Sequence, residues 1–188
     1  HNLVGIDKIF FLFWYNDDLS KKIISKIKYK GEKRYVTYMG KLISEHIKSE
    51  YAGADFDCIC FTPRSKKNMT RIGFDQSEYL SKAASFYLDL PVVCCIGRKG
   101  KNEEQKRLSG SARRKNDKNK FQLNKELLLD DNGKVPKVVL LIDDVVTTGS
   151  TVQQCAYLLK KAGVRKVYVG VVEKTPSKKT ITGRYVRK

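Results

Sequence analysis

Residues 137–142 (KVVLLI) form an apolar run in which nothing polar alternates after Lys137. A strand with one wet face alternates, so an unbroken run reads as a strand covered on both faces, as in a parallel sheet. The run ends in two carboxylates, Asp143 and Asp144. A turn is predicted over 143–150, followed by a helix over 151–162 with Val152, Cys155, Ala156 and Leu159 recurring along one side. Gly163 closes the helix and 166–172 (KVYVGVV) is the next strand. A strand–turn–helix–strand crossover of this kind predicts an α/β fold, a central, mostly parallel sheet flanked by helices.

The same alternation runs upstream. Residues 7–15 read as a buried strand from their aromatic and β-branched content. Asp17 or Asp18 can cap a helix to about Lys28, and Gly31 separates it from an amphipathic helix over 33–50. A strand over 57–62 stops at Pro63, a helix covers 74–90, and after Pro91 a strand covers 92–96. Between Gly97 and about Lys120 the apolar rhythm disappears, which predicts a long flexible loop. One short strand is expected within 121–129. Neither an internal repeat nor a low-complexity linker divides residues 1–188, so a single domain is expected.

Several classes are excluded at this point. No stretch of 18 apolar residues exists, so no membrane-spanning helix is expected. Residues 9–15 are too short for a span and lack a signal peptide's basic region and cleavage site. The first residue is His1 rather than Met, which predicts a piece of a longer gene product. The five cysteines (Cys58, Cys60, Cys94, Cys95 and Cys155) form no CxxC pair, and buried reduced thiols in a cytoplasmic protein are expected rather than zinc ligands.

Charge is concentrated. Residues 20–34, 98–120 and 174–188 carry +6, +7 and +6, while the whole chain carries +18, so the rest sums to −1. A neutral scaffold with three basic segments suggests a polyanionic partner, solvated lysine faces being the plainer alternative.

The chemistry gathers at 138–151 (VVLLIDDVVTTGST). Ligands of open α/β sheets bind beyond the carboxyl ends of the strands, where this turn falls. Free N–H groups at the start of the following helix favour a phosphate dianion. Gly149 permits close backbone approach, and Thr147, Thr148, Ser150 and Thr151 offer hydroxyls. Adjacent acids beside a phosphate pocket repel it unless something positive or hydroxylic intervenes. Asp143 and Asp144 can accept from the vicinal hydroxyls of a ribose; the alternative is that one caps the helix and the other is solvated.

This segment resembles the phosphoribosyl pyrophosphate (PRPP) loop of type I phosphoribosyltransferases. The chain is further similar to the ComF-like proteins associated with bacterial DNA uptake, through Lys28-Tyr29-Lys30-Gly31, Arg71-Ile72-Gly73-Phe74-Asp75-Gln76, and Gln105 to Leu108 with Arg113, Arg114 and Asn116. The resemblance implies that Asp143 and Asp144 hold the ribose, and that Thr147, Thr148, Gly149, Ser150 and Thr151, entered through Val145 and Val146, cradle the 5′-phosphate. It implies a pyrophosphate loop after the strand at 57–62, with Arg64, Lys66, Lys67 and Arg71 as candidate contacts. It further implies a closing loop over 98–116, whose Lys106, Arg107 and Arg113 would stabilise the departing pyrophosphate. Mg²⁺ is expected through PRPP, with Asp143 and Asp144 as the candidate protein contacts.

Two departures stand out. The four-cysteine zinc module of many ComF-like proteins does not lie within residues 1–188, either lost or removed before residue 1, and Thr147 stands where purine-salvage members often place a carboxylate. Capping alone accounts for Asp75, with ligand contact by the 71–76 motif as the alternative. Three functions follow: a Mg²⁺-dependent phosphoribosyltransferase using PRPP or another sugar phosphate, an accessory protein that binds single-stranded DNA and serves the DNA-uptake machinery, or a PRPP-sensing regulator. Tyr29, Tyr35 and Tyr38 are candidates for base stacking, with packing as the alternative. A dimer is compatible with all three.

Overall fold

A computed structural model describes residues 4–14, 22, 26, 33–64, 73–99 and 120–175. The elements are β1 (Lys8–Trp14), α1 (Lys33–Glu50), β2 (Cys58–Phe61), α2 (Gln76–Leu88), β3 (Val92–Val93), β4 (Ile96–Arg98), β5 (Phe121–Leu123), β6 (Val138–Val146), α3 (Ser150–Ala162) and β7 (Lys166–Lys174), with one 3₁₀ turn at Glu126–Leu128. Five strands make a parallel sheet in the order β1-β7-β6-β2-β3, and β4 pairs antiparallel with β5 beside it. The expected α/β class is what the molecule adopts.

β6 is the centre of the sheet because it can be. Val139 to Ile142 expose nothing, Leu140 lying in register with Ile59 on one side and Tyr168 on the other. Helices α1 and α2 cover one face, where Val36, Met39, Ile43, Leu80 and Ala84 meet Ile59, Leu140 and Ile142. Helix α3 and the β4–β5 pair cover the other, where Val152, Cys155, Leu159, Ile96 and Phe121 meet Val139, Leu141, Val167 and Val169. Two carboxylates pin the amino-terminal end of the sheet. Asp57 Oδ2 accepts the N–H groups of Lys137 and Val138 at 2.6 and 2.7 Å, and Asp7 Oδ2 accepts that of Val167 at 2.7 Å.

Several boundaries differ from expectation. The strand predicted over 92–96 breaks at Cys94-Cys95: β3 ends at Val93, and the chain leaves for the two-stranded sheet. Only Phe121–Leu123 of the expected 121–129 segment is strand. Strand β6 runs to Val146, four residues past the predicted end, because the ladder to β7 continues to Val146 opposite Lys174. The turn is therefore 147–149, and both acids lie within the strand. All five thiols are free, but Cys94 is exposed, unlike the four buried ones. The predicted helix from Asp17 or Asp18 to Lys28 lies outside the described residues apart from helical Lys22 and Lys26. Of the 97–120 loop only the root is described. There, Lys99 N–H donates to the Lys120 carbonyl at 3.1 Å, and Arg98 Nε donates to the Pro63 carbonyl at 2.9 Å. No helix among the described residues is long and apolar enough to cross a membrane.

Candidate functional site

From β2 the chain moves outward to β3, and from β6 it moves the opposite way to β7. The boundary between β2 and β6 is therefore the switch point of the sheet, where a crevice opens beyond the strand ends. The residues that arrive there are Thr62, Pro63 and Arg64 after β2, and Asp143 through Thr151 at the end of β6 and the start of α3.

Both acids are nearly buried, and they are held differently. Asp143 Oδ1 accepts the Ser77 hydroxyl at 3.1 Å and the Asp144 N–H at 2.9 Å. Asp144 Oδ1 accepts the Val145 N–H at 2.9 Å, while Oδ2 is paired with the Arg64 guanidinium. Burial, with the neighbouring Asp144 charge second, pushes the Asp143 carboxyl up to about 8, against the opposing hydrogen bonds from Thr62, Asp144 and Ser77. Burial thus favours the neutral form of Asp143 over the carboxylate while the site holds no cation. A proton on one carboxyl and a guanidinium on the other remove the repulsion that a bare acid pair would impose on an anion.

A closed ring of hydrogen bonds ties these groups together. Asp75 caps α2, its Oδ1 accepting Ser77 N–H at 3.0 Å and Glu78 N–H at 3.3 Å, while its Oδ2 accepts the Arg64 N–H at 2.8 Å. Ser77 returns to Asp143, and Arg64 returns to Asp144. Burial pushes the Asp75 carboxyl up in spite of three N–H donors. The cap reading of Asp75 is thus correct, and Asp75 also orients Arg64.

The turn that follows is built around backbone. Gly149, at φ 79°, is the N-cap of α3 and supplies no side-chain cap. Its positive φ is the conformation glycine adopts without strain. Thr147, Thr148 and Ser150 are exposed, Thr151 is half-buried, and the Thr148 hydroxyl donates to Ser150 Oγ at 3.2 Å. Ser150 N–H reaches Thr148 Oγ1 only at 3.4 Å. With no acidic side chain in its first turn, α3 presents N–H groups and the positive end of its dipole, an arrangement suited to a dianion.

Of the sequence-derived candidates, Arg64, Asp143, Asp144, Thr147, Thr148, Gly149, Ser150 and Thr151 come together. Val145 and Val146 belong to β6 rather than to the turn; the Val146 side chain is in the core and its carbonyl accepts the Thr175 N–H at 3.0 Å. Lys66, Lys67, Arg71, Lys106, Arg107 and Arg113 lie outside the described residues. Thr62 and Ser77 were missed, because an ordinary hydroxyl at a strand end or helix start carries no signal until the fold sets it beside an acid.

Volume points elsewhere. A cavity of about 570 Å³ lies along β4–β5, lined by Cys94, Cys95, Gly97, Gln122 and Leu123 among others, and two of about 370 and 380 Å³ lie at the amino-terminal end of the sheet near Asp55. Neither location gathers converging acids, hydroxyls and a helix start, so the switch point is the stronger site. Among the described residues no three His, Cys, Asp or Glu side chains gather as a metal site.

This fold, with an acid pair and a glycine turn at its switch point, is that of the type I phosphoribosyltransferases. The chain matches glutamine PRPP amidotransferase from B. subtilis complexed with ADP and GMP, with a TM-score of 0.50 at 16% identity, over 72% of this chain and 25% of that one. In sequence it is 31% identical over 157 residues to competence protein ComFC of Streptococcus pneumoniae, covering 83% of this chain and 63% of that protein. It is 38% identical over 100 residues to competence protein F of Haemophilus influenzae, covering 53% and 42%. The chain is thus similar to the ComF-like competence proteins in sequence and shares the fold of the type I phosphoribosyltransferases. It spans 63% and 42% of the length of those two curated relatives. No family model matches it.

Proposed function

We propose that this chain binds PRPP, or a closely related 5-phosphoribosyl ligand, across the ends of β2 and β6. The observation that carries this reading is the meeting of Arg64 with Asp144 beside the Gly149 turn. Cation, acids and free helix N–H groups there match a ligand with a pyrophosphate, a diol and a phosphate, in that order. The ribose hydroxyls would go to Asp143 and Asp144, the 5′-phosphate to the amides and hydroxyls of 147–151, and the pyrophosphate to Arg64.

Mg²⁺ fits this donor set in a limited way. The Asp144 carboxylate is a hard oxygen donor, and Asp143 would become one on losing its proton; Mg²⁺ takes one or two such donors while drawing its other ligands from phosphate and water. Asp143 and Asp144 would stand at its edge, and the ion would neutralise pyrophosphate charge. In the reaction we propose, the bond between the sugar's C1 and the pyrophosphate oxygen breaks, a nitrogen nucleophile bonds to C1, and pyrophosphate leaves. The names of the relatives, competence protein F and ComFC, support a role in DNA uptake, and the free thiols support a cytoplasmic setting.

Calorimetric titration with PRPP, with and without Mg²⁺, tests the binding claim. Wild type should bind in the micromolar to millimolar range, and Asp143→Asn/Asp144→Asn should lose at least tenfold. No heat from wild type at millimolar PRPP with Mg²⁺ rejects the reading. Pyrophosphate release against a panel of bases and amines separately tests turnover.

A further inference from the structure

Cys58, Cys60, Cys95 and Cys155 all belong to the core cluster on the α3 face of the sheet. Among the described residues they do not gather as a metal site. Within the cluster the Cys60 and Cys95 sulfurs form a hydrogen-bonded pair 3.7 Å apart, both side chains buried. A disulfide needs about 2.05 Å, so the sulfurs must approach by roughly 1.6 Å. Cys60 is held in β2, laddered to β3 at Val93 and to β6 at Leu141, whereas Cys95 lies in the short link between β3 and β4. The give is therefore on the Cys95 side. Cys58 shares a face of β2 with Cys60, but residues two apart in a strand project in parallel rather than toward each other. Cys95 is the partner that Cys60 can reach.

Access and reactivity also separate the thiols. Cys95 lines the cavity of about 570 Å³ along β4–β5, together with Gly97, Gln122 and Leu123, and that space admits a small oxidant. The thiolate is the reactive form. The hydrogen bond from Cys60 holds the Cys95 thiol below the ordinary cysteine range against the effect of burial. At Cys94, which is more exposed, partial desolvation and the Glu78 charge push the thiol up. Burial pushes the Cys155 thiol far higher.

We propose that Cys95 is an oxidative modification site, attacked by a hydroperoxide from the β4–β5 cavity and closed by Cys60 to a reversible disulfide. The Cys95 sulfur attacks one peroxide oxygen, the O–O bond breaks, and water and a sulfenic acid result. The Cys60 sulfur then bonds to the Cys95 sulfur, the S–O bond breaks, and a second water leaves. Two electrons pass from the thiols to the peroxide. The new bond ties β2, which leads into Thr62 and Arg64, to the start of β4, whose Arg98 donates to the Pro63 carbonyl. Oxidation thus joins the root of the middle basic segment to the strand that serves the switch point. Transient disulfides of this kind suit a compartment that otherwise keeps thiols reduced.

The folded chain should be treated with a few equivalents of hydrogen peroxide, quenched with catalase, unfolded and alkylated, then digested without reductant for mass spectrometry. The peptide holding Cys58 and Cys60 should be cross-linked to the one holding Cys94 and Cys95, two hydrogens lighter than their sum, and dithiothreitol should separate them. The cross-link should persist in Cys58→Ala and Cys94→Ala and be lost in Cys60→Ala and Cys95→Ala. In Cys60→Ala the reaction should stop at a Cys95 sulfenic acid that dimedone traps. Oxidation of wild type at Cys94 alone, with the other four thiols alkylated, overturns the proposal without recourse to any variant. A cross-link that disappears in a folded Cys94→Ala overturns it as well.

Discussion

The Asp143 carboxyl, pushed up to about 8 by burial and by the neighbouring Asp144 charge, makes stability depend on pH. An unfolded aspartate titrates near its ordinary value of about 4. Between about pH 4 and 8, therefore, the folded chain keeps a proton that the unfolded chain has lost, and stability falls as pH rises through that window. The penalty is absent below it and fully present above it. Asp143→Asn removes the titration while keeping a polar group for Ser77 and Thr62. Melting curves from pH 5 to pH 9 should show the variant gaining on wild type as pH rises, by roughly 1–3 kcal/mol at the alkaline end. Parallel curves for the two proteins would mean that the buried acid does not carry this proton. The acid pair itself was legible in the sequence. Its protonation was not, because that depends on burial and on Ser77, which lies 66 positions away along the chain.

The elements that deliver Ser77 and Asp75 depend on how closely α2 can lie against α1. Gly40 sits at that crossing, where an added Cβ would come 2.4 Å from the Ala83 Cβ and 3.0 Å from the Ala84 N. The Ser44 hydroxyl bridges the same crossing, donating to the Gly40 and Ala84 carbonyls at 2.8 and 3.2 Å. Helix propensity alone favours Gly40→Ala by about 1 kcal/mol. The contact reverses this, because the rigid Ala83 Cβ and the α2 backbone, rather than a flexible side-chain end, stand in the way, and overpacking of this kind costs about 1–3 kcal/mol. Thermal melting should place Gly40→Ala below wild type and Gly53→Ala, whose added Cβ meets nothing within 4 Å, close to wild type. A stabilised Gly40→Ala would show that the helices separate freely. Periodicity revealed both helices nearly to their ends, 33–50 and 76–88 against an expected 74–90. The break of the 92–96 strand was hidden, since VVCCI is uniformly apolar and only the departure of β4 to another sheet divides it.

For the molecule as a whole, an alternating pattern of strands and helices implies a parallel sheet but not its order. That β1 pairs with β7, the last strand, depends on registers such as Phe10 opposite Gly170, where the Phe10 ring fills the space a Cβ would take at 2.7 Å. The sequence pattern does reveal how charge is divided. Excess charge of +19 lies in residues 20–34, 98–120 and 174–188, most of which are outside the described core, while the remainder of the chain sums to −1. At the root of the middle segment, Arg98 donates to the Pro63 carbonyl and lies 4.9 Å from the Phe121 ring centroid, so the root of that segment lies beside the candidate site. The proposed sugar-phosphate site and the basic segments would bind anions in two different modes, one through a built pocket and one through long-range charge, and salt separates them. Binding of a single-stranded oligonucleotide through the basic segments releases counterions, and between 50 and 200 mM salt its affinity should fall roughly 10- to 100-fold. PRPP held by amides, hydroxyls and an acid pair should weaken much less over the same range. Fluorescence anisotropy with a labelled oligonucleotide should also give the same affinity for wild type and Asp143→Asn/Asp144→Asn, because those acids are proposed to serve the sugar. Affinity that ignores salt, or that disappears with the acid pair, would place the nucleic acid in the pocket instead of on the basic segments.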